Sequence, residues 1–231
     1  MRVTFLTFDG MTALDALGGY EVLARVPGLE VEFAGREPGV VAADTRRLGL
    51  VAWRGFDEIG GTDVVYVPGG PGARALESDP AFLELLRALD RTSTWTVGIC
   101  NGVTLLAAAG LLDGRGATGN WYDRERIERY GARFVAARHH RDGKYLSGAG
   151  VSASIDAAFF LARTLAGDSV ALALQLGLEY FPEPPFPYRS PAEVPEGMQR
   201  AVRAFSESSW TTQRDLVPPF SGSYGVLGPG R

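Results

Sequence analysis

The chain has one cysteine, Cys100, and only two histidines, His139 and His140. A single thiol excludes an intrachain disulfide, and with so few histidines a cysteine-rich zinc site is excluded too. No uninterrupted apolar run approaches the roughly 20 residues needed to span a bilayer. Basic residues are not in excess: the net charge is −4 and is spread along the chain, so no basic stripe suits nucleic acid. Met1 runs straight into RVTFLTF, with no charged-then-apolar leader, so secretion is not expected. The expected setting is the reducing cytoplasm, and if the chain does chemistry its lone thiol is the first suspect.

What is present suits a globular α/β protein. Hydrophobic residues make up 45% of the 231 residues and charged ones 22%, enough for a core without cross-links. Strands are predicted at 2–8, 29–35, 63–67 and 94–99, with a hairpin over 39–53. Helices are predicted at 12–25, 79–91, 101–112, 122–130, 151–166 and 168–180. Asp79 as N-cap and Pro80 at the first helical position open the second of these. Asp142-Gly143 marks a turn within a hairpin running through RFVAARHHRDGKYLSG. Strands alternating with helices predict an α/β fold with a mostly parallel sheet covered on both faces. After Tyr180 the texture becomes proline-rich, with a helix over about 195–207 and an irregular end.

Three elements carry chemistry. In Gly98-Ile99-Cys100-Asn101-Gly102 an apolar strand runs into the cysteine and a helix begins directly after it. Such a turn holds a nucleophile clear of the sheet edge, with the glycines giving room. The first-turn N–H groups and the helix dipole should lower the thiol pKa from about 8.5. Pro68-Gly69-Gly70-Pro71-Gly72 also follows a strand, so in a parallel sheet it opens at the same edge. Bare N–H groups there can form an oxyanion hole. Asp15, near the start of the first helix, has apolar neighbours whose cover would raise its pKa and let it carry a proton near neutrality.

In this order and spacing the segments LDALGGYEVL (14–23), REPGVVAADT (36–45), VPGGPG (67–72), GICNGVTLLAAAGLLDGRGATGNW (98–121), GAGVSASID (148–156) and QLGLEYFPEPPF (175–186) resemble the DJ-1/PfpI superfamily, and within it the bacterial isonitrile hydratases. The resemblance implies a flavodoxin-like three-layer sandwich over residues 1–190, related to class I glutamine amidotransferase domains. Residues 191–231 are then a C-terminal extension and not an independent domain. It further implies a homodimer, a small-molecule substrate, no metal and no organic cofactor. Cys100 inherits the nucleophile's role, and Asp15 that of the carboxylate that hydrogen-bonds the sulfur and shuttles a proton. Gly70 and the backbone N–H of Asn101 inherit anion stabilisation. The implied reaction adds water to an isocyanide and yields an N-substituted formamide.

Departures from the family pattern bear on that reading. Relatives often place histidine or threonine directly after the cysteine, where this chain has Asn101, and Thr-His-Trp where it has Gly119-Asn120-Trp121. Asparagine can orient a group but cannot shuttle a proton as imidazole does. Asn120 and Trp121 are candidate pocket residues, with Tyr122 beside them. His139 and His140 read as surface residues next to a turn, Glu21 as structural or a dimer contact, Glu179-Tyr180 as a packing corner, and RERIER (124–129) as a solvated helix face. Without a Cys-His dyad, peptidase and amidase chemistry is disfavoured against an Asp-assisted addition. The competing expectations are a redox-responsive or chaperone-like protein, whose output is oxidation of Cys100, and a sensory module, for which the tail lacks room to hold a helix-turn-helix.

Overall fold

A computed structural model of the chain describes the backbone of residues 1–216 and the side chains through Ser206. In chain order the elements are β1 (Arg2–Leu6), α1 (Ala13–Leu23), β2 (Glu30–Gly35), β3 (Gly39–Ala42), β4 (Gly49–Ala52), β5 (Arg54–Gly55) and β6 (Val64–Val67). Then come α2 (Ala73–Leu76), α3 (Pro80–Thr92), β7 (Trp95–Ile99), α4 (Gly102–Ala108), β8 (Gly116–Ala117), α5 (Arg124–Arg129) and β9 (Arg133–Phe134). The last are β10 (His139–Asp142), β11 (Tyr145–Gly148), α6 (Ala153–Ala166), α7 (Asp168–Gly177) and α8 (Glu196–Leu216).

The main sheet has the order β10-β11-β7-β6-β1-β2-β5. All its pairs are parallel except β10 with β11. Alternation along the central strands divides the core in two, because successive side chains point to opposite faces. Val3 and Phe5 of β1, Val64 and Tyr66 of β6, and Val97 and Ile99 of β7 pack with α1 and α6. Leu6, Val65 and Val67 face the other way, onto Phe82, Leu86, Val103 and Leu106 of α3 and α4. The fold is therefore the flavodoxin-like sandwich, with a covered parallel sheet.

Local signals mostly place the elements where the sequence predicts them. Asp79 caps α3, its side chain accepting from the N–H groups of Ala81 and Phe82. The hairpin over 39–53 forms as β3 and β4. Three expectations need correction. The segment 133–148 is not one hairpin: β9 pairs in parallel with β8, and only β10 and β11 form the hairpin across Gly143. The helix expected over 101–112 is shorter, because Gly110 adopts φ +78° and turns the chain out. The final helix is longer than expected, and the irregular stretch read for the last residues lies outside the described ones.

Candidate active site

Because the parallel strands share one direction, the segments after β1, β6 and β7 converge at their carboxyl ends. Cys100 occupies the turn between β7 and α4 with φ +57°, a left-handed conformation that costs a non-glycine residue about 1–2 kcal/mol. Its backbone N–H donates to the Gly148 carbonyl, 3.0 Å, which fixes the turn against β11. Gly98 and Gly102 are needed for close approach. A Cβ on Gly102 would lie 2.4 Å from the Val67 carbonyl oxygen, and one on Gly98 2.8 Å from Leu106.

Asp15, in the first turn of α1, is fully buried. Its Oδ2 accepts the Gly69 N–H at 2.7 Å, while Oδ1 has no hydrogen-bond partner. Burial raises its pKa to about 8 against the opposing Gly69 bond, so at neutral pH the carboxyl keeps its proton. With Oδ2 accepting, that proton belongs on Oδ1. Asp15 makes no hydrogen bond to the Cys100 thiol, so the direct bond implied by the resemblance is not formed in this conformation, and only an ionised Asp15 would act on the thiol through charge.

The asparagines divide two tasks. Asn101 clamps the glycine loop: its Oδ1 accepts from Gly70 N–H at 2.6 Å and its Nδ2 donates to the Gly70 carbonyl at 3.0 Å. The Gly70 N–H is therefore not a bare oxyanion donor, because the Asn101 side chain has taken it. The Asn101 backbone N–H remains directed at the sulfur. Asn120 supplies the other contact to the thiol, Nδ2 to Sγ at 3.3 Å, and its buried Oδ1 has no partner. Trp121 is half-buried beside it, edge-on to Tyr122.

The thiol reverses one expectation. Its pKa is pushed well above the ordinary value, first by burial and then by repulsion from the Asp15 carboxylate, despite the Asn120 and Asn101 hydrogen bonds. Helix α4 runs only from Gly102 to Ala108, too short for its dipole to offset complete desolvation. The repulsive contribution vanishes while Asp15 stays protonated.

Several residues escaped the sequence reading. Gly69 sits against both Asn101 and Asp15, and a Cβ there would lie 2.2 Å from Asn101 Oδ1 and 2.9 Å from Asp15 Oδ2. Its place in a run of glycines gave no sign of which one mattered. Asp123 is buried behind Trp121 and Tyr122, pairs with Arg74 at 3.3 Å, and has a pKa raised by burial to about 6. It directly precedes the charge run 124–129, which reads as a solvated helix face. His139 and His140 make no hydrogen bond to Cys100; His139 pairs across the sheet with Gly148. Glu21 forms an exposed pair with Arg25, and Tyr180 stacks on Phe159 while donating to Asp156. Among the described residues no group of three histidine, cysteine, aspartate or glutamate side chains is placed to share a metal ion, and no helix is long and apolar enough to cross a membrane.

Known proteins of this arrangement are similar along most of the chain. An isonitrile hydratase of Pseudomonas putida is 35% identical over 219 residues, covering 93% of this chain and 96% of that one. A ThiJ/PfpI family protein of Pseudomonas syringae superposes with a TM-score of 0.85 at 27% identity, over 93% of this chain and 90% of the other. DJ-1beta of Drosophila melanogaster shares the fold, with a TM-score of 0.71 at 22% identity, over 77% of this chain and 97% of its own. The pattern of the DJ-1/PfpI family matches residues 1–164, and with it the converging loops around Cys100 find their place: the chain belongs to the DJ-1/PfpI family.

Proposed function

We propose that the protein is a cofactor-free hydratase that adds water to an isocyanide through a covalent adduct on Cys100. The observation that carries this reading is the neutral, fully buried Asp15, an acid whose proton has no acceptor within the protein. Similarity to an isonitrile hydratase along nearly the whole chain supports the same reaction class.

The chemistry follows from the polarity of R–N≡C, whose terminal carbon accepts a soft nucleophile as it takes up a proton. The Cys100 sulfur bonds to that carbon, the carbon gains one proton, and the product is a thioimidate, R–N=CH–S–Cys100. Asp15 gives its proton to the carbon and takes up the thiol's in exchange, so it leaves the step protonated and no free thiolate has to persist in a site that penalises it. Water then adds to the thioimidate carbon, its two protons end on the nitrogen and the sulfur as the C–S bond breaks, and R–NH–CHO leaves with the thiol restored. One difficult step becomes two easier ones. Asn120 holds the sulfur from one side, and its unpartnered Oδ1 is a free acceptor for the incoming water. No amine departs, so no imidazole is required.

Redox sensing by the same thiol is the weaker reading. Sensor cysteines are low in pKa and open to solvent, whereas Cys100 is 4% exposed with a raised pKa. The homodimer and the treatment of residues 191–231 as an appendage to the domain are part of the same proposal. The deciding experiment is a spectrophotometric assay with p-nitrophenyl isocyanide on wild type, Cys100→Ala and Asp15→Asn. Formamide production that disappears in both variants supports the assignment. A folded, reduced wild type that makes none rejects it.

A further inference from the structure

A nucleophile enclosed this tightly needs a neighbouring space for the rest of its substrate. Two clefts compete for that role. One, of about 860 Å³ beyond the ends of β1 and β2, sets apolar side chains such as Phe8, Val41 and Phe56 among Arg36, Asp44 and Arg74, so filling it with an uncharged group would take several charges out of water. The other, of about 310 Å³, lies between Trp121 and the C-terminal extension and is walled by Tyr188, Pro191, Val194, Met198 and Val202. Arg189 is its only charged lining residue among those described. Its volume falls at the lower end of the roughly 300–1,000 Å³ typical of small-molecule sites, and it is about twice an engineered cavity of ~150 Å³ that admits benzene.

The cleft is tied to the sulfur by one short segment. Asn120, whose Nδ2 lies 3.3 Å from Sγ, directly precedes Trp121, the inner wall. Tyr122 follows, near enough for the charges of both Cys100 and Asp15 to act on its hydroxyl. The outer wall is anchored to that same segment. The Arg203 guanidinium of α8 lies 5.2 Å from the Trp121 ring centroid, its charge acts on Asp123, and Ser206 hydrogen-bonds Tyr122. Residues 120–123 thus hold the thiol on one side and the extension on the other.

We propose that this cleft is the subsite for an uncharged aromatic or branched aliphatic substituent of the substrate, and that the C-terminal extension determines substrate size. The proposal rests on the reading of Cys100 as the nucleophile toward an isocyanide. It makes Trp121, Met198 and Val202 specificity-determining residues.

Val202 is 39% exposed, so Val202→Trp fills the cleft from its open side without disturbing the core. Two readouts are combined: the ratio of kcat/KM for p-nitrophenyl isocyanide over methyl isocyanide, and equilibrium dialysis of 4-nitroformanilide against Cys100→Ala with and without Val202→Trp. Losing an apolar pocket for the substituent should lower both by about 10- to 100-fold. Met198→Ala, which widens the cleft, should shift preference from phenyl toward naphthyl isocyanide. Turnover with all of these unchanged in folded variants overturns the subsite while leaving the hydratase reading intact. Absence of turnover with any isocyanide, together with 4-nitroformanilide binding that Val202→Trp abolishes, overturns the hydratase reading and keeps the cleft as an apolar binding site.

Discussion

Two aspartates are buried at opposite ends of the sheet, and they are treated in opposite ways. Asp90, at the amino end of β7, is surrounded by donors: the Thr96 hydroxyl at 2.6 Å, the Tyr145 hydroxyl at 3.1 Å and the Lys144 ammonium at 3.1 Å. Asp15, at the carboxyl end, receives one backbone N–H and keeps an oxygen without a partner. A buried carboxylate supplied with donors and a cation stabilises the structure around it. One left short of both holds its proton and is ready to part with it. On the proposed reaction, the difference separates an end of the domain that serves stability from the end that would do the chemistry.

The largest expected effect follows from removing the nucleophile: Cys100→Ala should abolish formamide production in the p-nitrophenyl isocyanide assay. Asp15→Asn keeps the shape and the Gly69 bond but has no acid to give, so kcat should fall by about 10²- to 10⁴-fold. The same substitution tests the protonation state. A carboxyl with pKa about 8 in the folded chain and near 3.8 unfolded binds more protons when folded between those limits. The contribution of Asp15 to stability should therefore be fully present below about pH 4 and be lost as pH rises to about 8, by at most ~1.4 kcal/mol per unit. Denaturant titrations across this range should lose that contribution in Asp15→Asn, and an identical pH dependence in both proteins would contradict a neutral Asp15.

Asp90→Ala should behave in the reverse manner. Leaving Thr96, Tyr145 and the half-buried Lys144 without their common acceptor should cost about 2–4 kcal/mol in urea unfolding, with activity per folded molecule retained. If activity fell in step with Asp15→Asn, the two ends would not be functionally separate. The smallest effect belongs to Asn120→Ala. It removes one neutral donor to sulfur and should reduce kcat by about tenfold, with slower alkylation of Cys100 at a fixed pH.

The sequence made the frame legible because its signals were local or periodic. The apolar run of β7 ending at Cys100, the capping pair Asp79-Pro80 and the glycines beside the cysteine each act within a few residues of themselves. Asp15, too, could be read from its apolar neighbours. What stayed hidden depends on distant partners. Nothing near Gly70 reveals that Asn101 would occupy its N–H, since 31 positions separate them. The pKa of Cys100 was misjudged for a related reason: a helix start is visible in sequence, but the completeness of the surrounding desolvation is not. Asp123 was missed because RERIER beside it is charged, whereas the cations that face it, Arg74 and Arg203 of α8, come from distant parts of the chain.

The left-handed backbone at Cys100 also has an evolutionary consequence. Glycine adopts that conformation freely, so a cysteine there costs the fold stability that only a use such as the proposed reaction would offset. A lineage relieved of selection for the thiol would be expected to drift first to glycine at this position, gaining stability as it lost the reaction. Among descendants of this fold, the residue at the elbow would then record which have kept their chemistry and which have kept only their shape.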